Sequence, residues 1–158
     1  MSNHSLQELC SGFCALALIA APELRAMDDG VIAFNVTWRD VAVDVTAMPL
    51  AGPGHAFVQF DLGVPDESRA DPSRVLLALM HANFLALRAN QPVFSCHPDT
   101  NTAVLQWALP LQEATAESLY QVIEEGVNRV LQWRENYFLP QGDAAATQPA
   151  AALHDQFA

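Results

Sequence analysis

Beginning at Ile32, apolar side chains return at every second position through three consecutive runs. An alternation of that length fits a sheet with one buried face and little else. Ile32, Phe34, Val36 and Trp38 alternate with Ala33, Asn35 and Thr37, and Val41, Val43 and Val45 alternate with Ala42, Asp44 and Thr46. The third run, His55 to Leu62, sets Ala56, Val58, Phe60 and Leu62 on one face. Arg39-Asp40 leaves room only for a tight turn between the first two runs, and a loop rich in Gly and Pro (Pro49 to Gly54) precedes the third. Three strands joined so briefly are expected to form an antiparallel meander.

The flanking segments have helical periodicity. Leu6, Leu9, Cys10, Phe13, Leu16 and Ala17, followed by Ile19 and Ala20, share one side, with Ser5, Glu8 and Ser11 opposite; Pro22 marks the limit. Asp71-Pro72 is a strong helix start, an N-cap acceptor followed by proline at the first helical position. The helix expected from Pro72 to about Arg88 is too apolar for its task. Leu77, Met80, Phe84 and Leu87 form one stripe, while Val75, Leu76, Leu79, Leu85 and Ala86 take much of the remainder. A helix covering one side of a small sheet needs a single apolar face. The surplus predicts a second buried face, and another subunit is its simplest source, so a homodimer through this helix is expected.

Pro92 closes that helix, and Val93 to His97 and Thr102 to Leu109 then read as a hairpin across Pro98-Asp99-Thr100-Asn101. Thr115 is a plausible N-cap for a last helix, with Glu117 in its first turn and Leu119, Ile123, Val127, Val130 and Leu131 as its stripe, continued by Trp133 and Tyr137. Gly126 within it costs about 1 kcal/mol against Ala, which is consistent with a close approach there. After Leu139 the chain becomes rich in Ala, Gln and Pro, and residues 140–158 are expected to be a flexible tail without a fold of its own. The expectation is an α+β protein of one domain, residues 1–139, in the order α-β-β-β-α-β-β-α, with an antiparallel sheet packed with three helices.

At 158 residues the chain suits one domain with its own core. Eighteen acidic residues face seven basic ones, all Arg, for a net charge of −11. That balance opposes binding to phosphate backbones or anionic lipid, so neither nucleic acid nor membrane is an expected partner. Three cysteines, an odd number without a framework of spaced pairs, argue for a reducing compartment. The apolar stretch Phe13 to Ala21 is preceded by Glu8 and by no Lys or Arg, the wrong charge for a secretion signal, and is too short to span a bilayer. A cytoplasmic location is expected.

Catalytic signatures are weak. Cys10 and Cys14, at i and i+4, could supply two ligands of a metal site, but no second pair has matching spacing, and core packing explains them as well, with Cys14 nearer the edge. Cys96 and His97 are adjacent on a strand and point to opposite faces. His4, His55, His81, His97 and His154 are scattered outside any HExxH motif, and Gly52-Pro53-Gly54 precedes a strand where a phosphate loop would precede a helix. Asp28-Asp29 and Glu124-Glu125 read as solvated charge, and Trp38 and Trp107, if exposed, lack the interleaved basic residues that base stacking needs. No catalytic residue, cofactor or metal ligand is expected.

Several segments, taken in order, resemble the class I type III secretion chaperones (the Tir chaperone, or CesT-type, family). Phe60 to Pro65 (FDLGVP) is similar to that family's strand exit into a Gly-hydrophobic-Pro turn. Leu76 to Leu85 (LLALMHANFL) resembles its helix with a typical Asn, here Asn83, and Val104 to Leu111 (VLQWALPL) resembles its last strand. Val127 to Tyr137 (VNRVLQWRENY) resembles its closing helix with a Trp-Arg pair, here Trp133-Arg134. The residues Pro98 to Asn101, where the family often has Gly, and the Ala-rich tail are departures.

The resemblance implies a non-catalytic cytoplasmic homodimer that binds the N-terminal segment of a secreted effector without ATP. Leu6, Leu9, Phe13, Phe34, Val36 and Val43 are the expected effector-binding residues, and Leu77, Met80, Phe84, Leu87, Val93 and Phe94 the expected dimer interface. Two other readings are a regulatory adaptor of the same fold acting on a non-secreted protein, and a small thiol or metal enzyme built on Cys10, Cys14 or Cys96.

Overall fold

A computed structural model describes residues 5–27, 30–47, 54–86 and 91–139. Three helices, α1 (Leu6–Ala17), α2 (Pro72–Leu85) and α3 (Ala116–Asn136), accompany six strands: β1 (Arg25–Ala26), β2 (Ile32–Trp38), β3 (Val41–Ala47), β4 (His55–Gly63), β5 (Val93–Cys96) and β6 (Ala103–Pro110). The strands form one antiparallel sheet in the order β1-β2-β3-β4-β6-β5. The expected α+β class and element order hold, with one addition. The two residues of β1 carry no alternation that could announce a strand, and they pair only because the start of β2 offers them an edge.

Each element has a local cause. Ser5 and Glu8 form a reciprocal capping box at the start of α1, and Leu18 ends the helix in the left-handed conformation (φ 56°), short of Ile19 and Ala20. Asp71 caps α2 through a 2.9 Å bond from the Ser73 amide, and Thr115 with Ser118 boxes the start of α3. Arg39 and Asp40 both take positive φ, 50° and 62°, as a two-residue turn between twisted strands requires. α2 is helical through Leu85; the part of the expected helix around Leu87 and Arg88 lies outside the described residues.

The buried face of the sheet runs from Phe34, Val36, Val41, Val43 and Val45 through Ala56, Val58, Phe60 and Leu62 to Leu105, Trp107 and Leu109. Trp107 is therefore a core residue, whereas Trp38 is half-buried. α3 lies over this face with Leu119, Ile123, Val127, Val130 and Trp133 inward. Gly126 makes the contact possible, because a Cβ there would stand 2.1 Å from the Phe60 ring. Gly12 plays the same part between α1 and α3, where a Cβ would meet that of Ala116 at 2.6 Å.

Polar ties fix the ends. The Arg134 guanidinium donates from Nε to the Leu62 carbonyl (3.2 Å), from Nη1 to Asp40 (3.0 Å) and from Nη2 to Asp61 (2.9 Å), holding α3 to the end of β4 and to the β2–β3 turn. Arg69 donates to the Arg134 and Glu135 carbonyls at the C-terminal end of α3 and stacks over Tyr137, 4.9 Å from the ring centroid. The Asn83 amide spans β5, donating to the Phe94 carbonyl (2.9 Å) and accepting from the Phe94 N–H (2.8 Å).

Gly126→Ala should lower stability by about 1–3 kcal/mol through overpacking against Phe60, despite the better helix propensity of Ala. The expected result is a lower urea midpoint with an unchanged slope. A gain in stability would mean that α3 stands clear of Phe60.

Candidate functional site

No cluster of three or more potential metal ligands occurs among the described residues. Cys10 and Cys14 are both buried, so Cys14 belongs to the core and not to its edge. Burial, and then the neighbouring Cys14, push the Cys10 thiol up to about 12, and burial also raises Cys14. Both are neutral thiols near pH 7, and a neutral thiol is a poor nucleophile and metal ligand. Cys96 is exposed, and the adjacent His97 uses Nδ1 locally, accepting from the Asp99 amide at 3.3 Å. No charged or polar side chain is buried among the described residues. The carboxylates whose acidity shifts, Asp66 and Glu117, are lowered by hydrogen bonds at a turn and a helix start: the Ser68 hydroxyl and amide for Asp66, and Glu117's own amide and Thr115 for Glu117.

What the surface offers is apolar. Val75 and Leu79 turn the inner side of α2 to the core, and the Asn83 clamp sets its distance from β5. The remainder of the helix is bare: Leu76, Leu77, Met80 (67% exposed), Phe84 (70%) and Leu85 all face outward, beside Val93 on β5. Of the expected dimer residues, Leu77, Met80, Phe84 and Val93 are on this surface. Phe94 is buried beneath it, edge-on to Phe138 at 5.5 Å, and Leu87 lies outside the described residues.

A second apolar region follows the α1–β1–β2 edge. The expected effector-binding residues Leu6, Leu9, Phe13, Phe34, Val36 and Val43 all lie inside the fold, none more than 9% exposed. Their periodicity made them prominent in the sequence, and that periodicity is what turns them inward. They support this region from beneath, with Phe13, Trp38 and Tyr120 forming an aromatic cluster at centroid distances of 6.1–6.2 Å. The exposed residues are others: Leu16, Leu18 (92% exposed), Met27 and Ile32. A signal for them existed in the isolated Leu18 and Met27, which fit neither helical nor strand alternation. β1 pairs with Ile32 and Ala33 alone, so Phe34 to Trp38 have no strand partner on that side among the described residues.

The fold is shared with chains of three solved complexes. The ExsC–ExsE complex contains a chain 15% identical, with a TM-score of 0.63 over 85% of this chain and 92% of that one. The HopA1–SchA chaperone–effector complex gives 13% identity and a TM-score of 0.61 over 82% and 92%. The ExoT–SpcS complex from Pseudomonas aeruginosa gives 10% and 0.54 over 80% and 94%. No curated protein sequence matches. The family model of the Tir chaperone proteins matches residues 22–134, most of the described fold, and the chain accordingly belongs to the Tir chaperone protein (CesT) family.

Proposed function

We propose that this protein is a homodimeric, non-catalytic chaperone of the cytoplasm that binds the N-terminal segment of a secreted effector without ATP. One observation carries the reading: among the described residues the β2 edge is left without a strand partner beyond Ala33, along a segment with exposed Leu16, Leu18, Met27 and Ile32. An extended client segment can satisfy the edge backbone groups while its side chains take the apolar positions. Family membership supports the chaperone role, and the absence of a helix long and apolar enough to cross a membrane among the described residues is compatible with it.

The α2 surface suits a second copy. Each large apolar side chain contributes about 1.5–3 kcal/mol on full burial, and a two-fold axis counts each contact twice. The net charge of −11 keeps chains with such surfaces from clustering indiscriminately. The regulatory adaptor reading shares all of this geometry and differs only in the client.

Phe84→Asp should convert the dimer to monomer or aggregate, and a dimer mass unchanged by light scattering would refute the interface. In a pull-down from the native host, one co-purifying protein should be lost when its N-terminal region is deleted. Recovery of a cytoplasmic regulator alone would favour the adaptor. Leu16→Asp with Leu18→Asp should weaken client binding at least about tenfold, or 1.4 kcal/mol, with the melting temperature unchanged. Full client affinity in that variant would remove the β2-edge site. A thiol reagent at neutral pH should modify Cys96 alone in the native protein and reach Cys10 and Cys14 only on unfolding. Rapid native labelling of Cys10 would reopen the thiol-enzyme reading.

A further inference from the structure

α2 touches the rest of the fold mainly through β5, and of its residues only Val75 and Leu79 are buried. Apolar contact is non-directional, so two buried side chains set how deep the helix lies and leave its tilt and slide open. The directional ties are polar and stand at its two ends. At the C-terminal end the Asn83 amide is fixed to both backbone groups of Phe94. At the N-terminal end the tie is carried by the turn just before the helix. The Asp66 carboxylate accepts from the Ser68 amide (2.9 Å) and hydroxyl (2.6 Å), and the Asp66 carbonyl accepts from the Arg69 (2.9 Å) and Ala70 (3.2 Å) amides. Pro72 opens α2 shortly after Arg69, with the Val75 N–H bonded back to the Asp71 carbonyl at 3.1 Å. Hydrogen-bonded structure thus leads from Asp66 into the helix.

The turn is tied to the end of α3. Arg69 donates from Nη1 to the Arg134 carbonyl (3.1 Å) and from Nη2 to the Glu135 carbonyl (2.8 Å). The Asp66 N–H donates to the Tyr137 hydroxyl (3.0 Å), over whose ring the Arg69 guanidinium lies. The last carbonyls of a helix have no intrahelical partner and form its negative end, so a planar guanidinium spanning two of them is held in one orientation. Arg134, whose carbonyl receives Arg69, is itself fixed through its guanidinium to the Leu62, Asp61 and Asp40 carbonyls. We propose that Arg69 is the positioning residue of the α2 surface. It seats the N-terminal end of α2 on α3, as Asn83 seats the other end on β5, and so sets the angle at which the exposed side of the helix meets a second copy. That role rests on the homodimeric reading of the α2 surface.

The test compares hydrogen exchange and sedimentation of the full chain with those of Arg69→Ala. Amides of α2, residues 73–85, should exchange about tenfold faster in the variant, while those of α3 over residues 119–130 keep their protection. The dimer dissociation constant should rise about tenfold, the size expected when a charged donor to two carbonyls is removed. Tyr137→Phe, which keeps the ring under Arg69 and removes the acceptor for the Asp66 N–H, should give a smaller change in the same α2 amides. Equal α2 exchange in the wild-type chain and Arg69→Ala would overturn the proposal. So would an equal loss of protection in α2 and α3, since Arg69 would then support the whole fold, or faster α2 exchange with an unchanged dissociation constant. A wild-type chain that sediments as a monomer would remove the homodimeric reading itself and with it the role given to Arg69 at the second copy.

Discussion

The close seat of α3 on the middle of the sheet is the contact on which the other placements depend. Gly126 lets the helix backbone settle against the Phe60 ring, and Gly12 lets α1 settle against α3 at Ala116. With α3 so low, a single layer of side chains fills the interior from Phe34 on β2 to Leu109 on β6, and α1 can reach that layer only at one end. α2 is then left to cover β5, where two inward residues, Val75 and Leu79, suffice. Its excess of apolar surface is thus a consequence of how little sheet remains for it.

The few arginines of this acidic chain are used largely to hold the fold together. Arg134 and Arg69 spend their donors on main-chain carbonyls, and Arg39 donates to the Asn128 side chain at 2.8 Å. Arg69 also favours the Asp66 carboxylate through its charge, and Arg129 pairs with Glu125 at 2.8 Å. Arg69 and Arg134 satisfy carbonyl groups at turns and at a helix end, and the excess of eighteen acidic over seven basic residues keeps the surface field negative. A surface of that sign repels polyanions while leaving uncharged, apolar segments free to approach.

Much of this was legible from residue order because local and tertiary preferences agree. The alternation from Phe34 to Leu62 sets both the strands and the inward face, and Asp71-Pro72 and Thr115 mark helix starts that the capping bonds then occupy. β1 was not legible, since Arg25-Ala26 is extended only by what β2 presents. The insertion of β6 between β4 and β5 depends on which edge the hairpin reaches, and periodicity does not encode that. The site was harder for a related reason. Regular apolar spacing identifies what is buried, so Phe13, Phe34 and Val43 drew attention and proved internal. The exposed Leu18 and Met27 belong to no pattern, and Leu77 and Phe84 stood out only because α2 had more apolar residues than one face can use.

The Asn83 clamp gives the two margins of the sheet different fates. Its amide offers Phe94 one acceptor and one donor in the arrangement a neighbouring strand would use, so at that residue β5 already has its imitation neighbour. Extension of the sheet past β5 would first have to displace it, whereas the β2 margin has no such stop among the described residues. A sheet blocked at one end accepts an addition without propagating it, because the accepted strand finds no matching margin on the next molecule. Growth of that kind terminates after a fixed number of steps, which separates a protein that captures strands from one that polymerises through them.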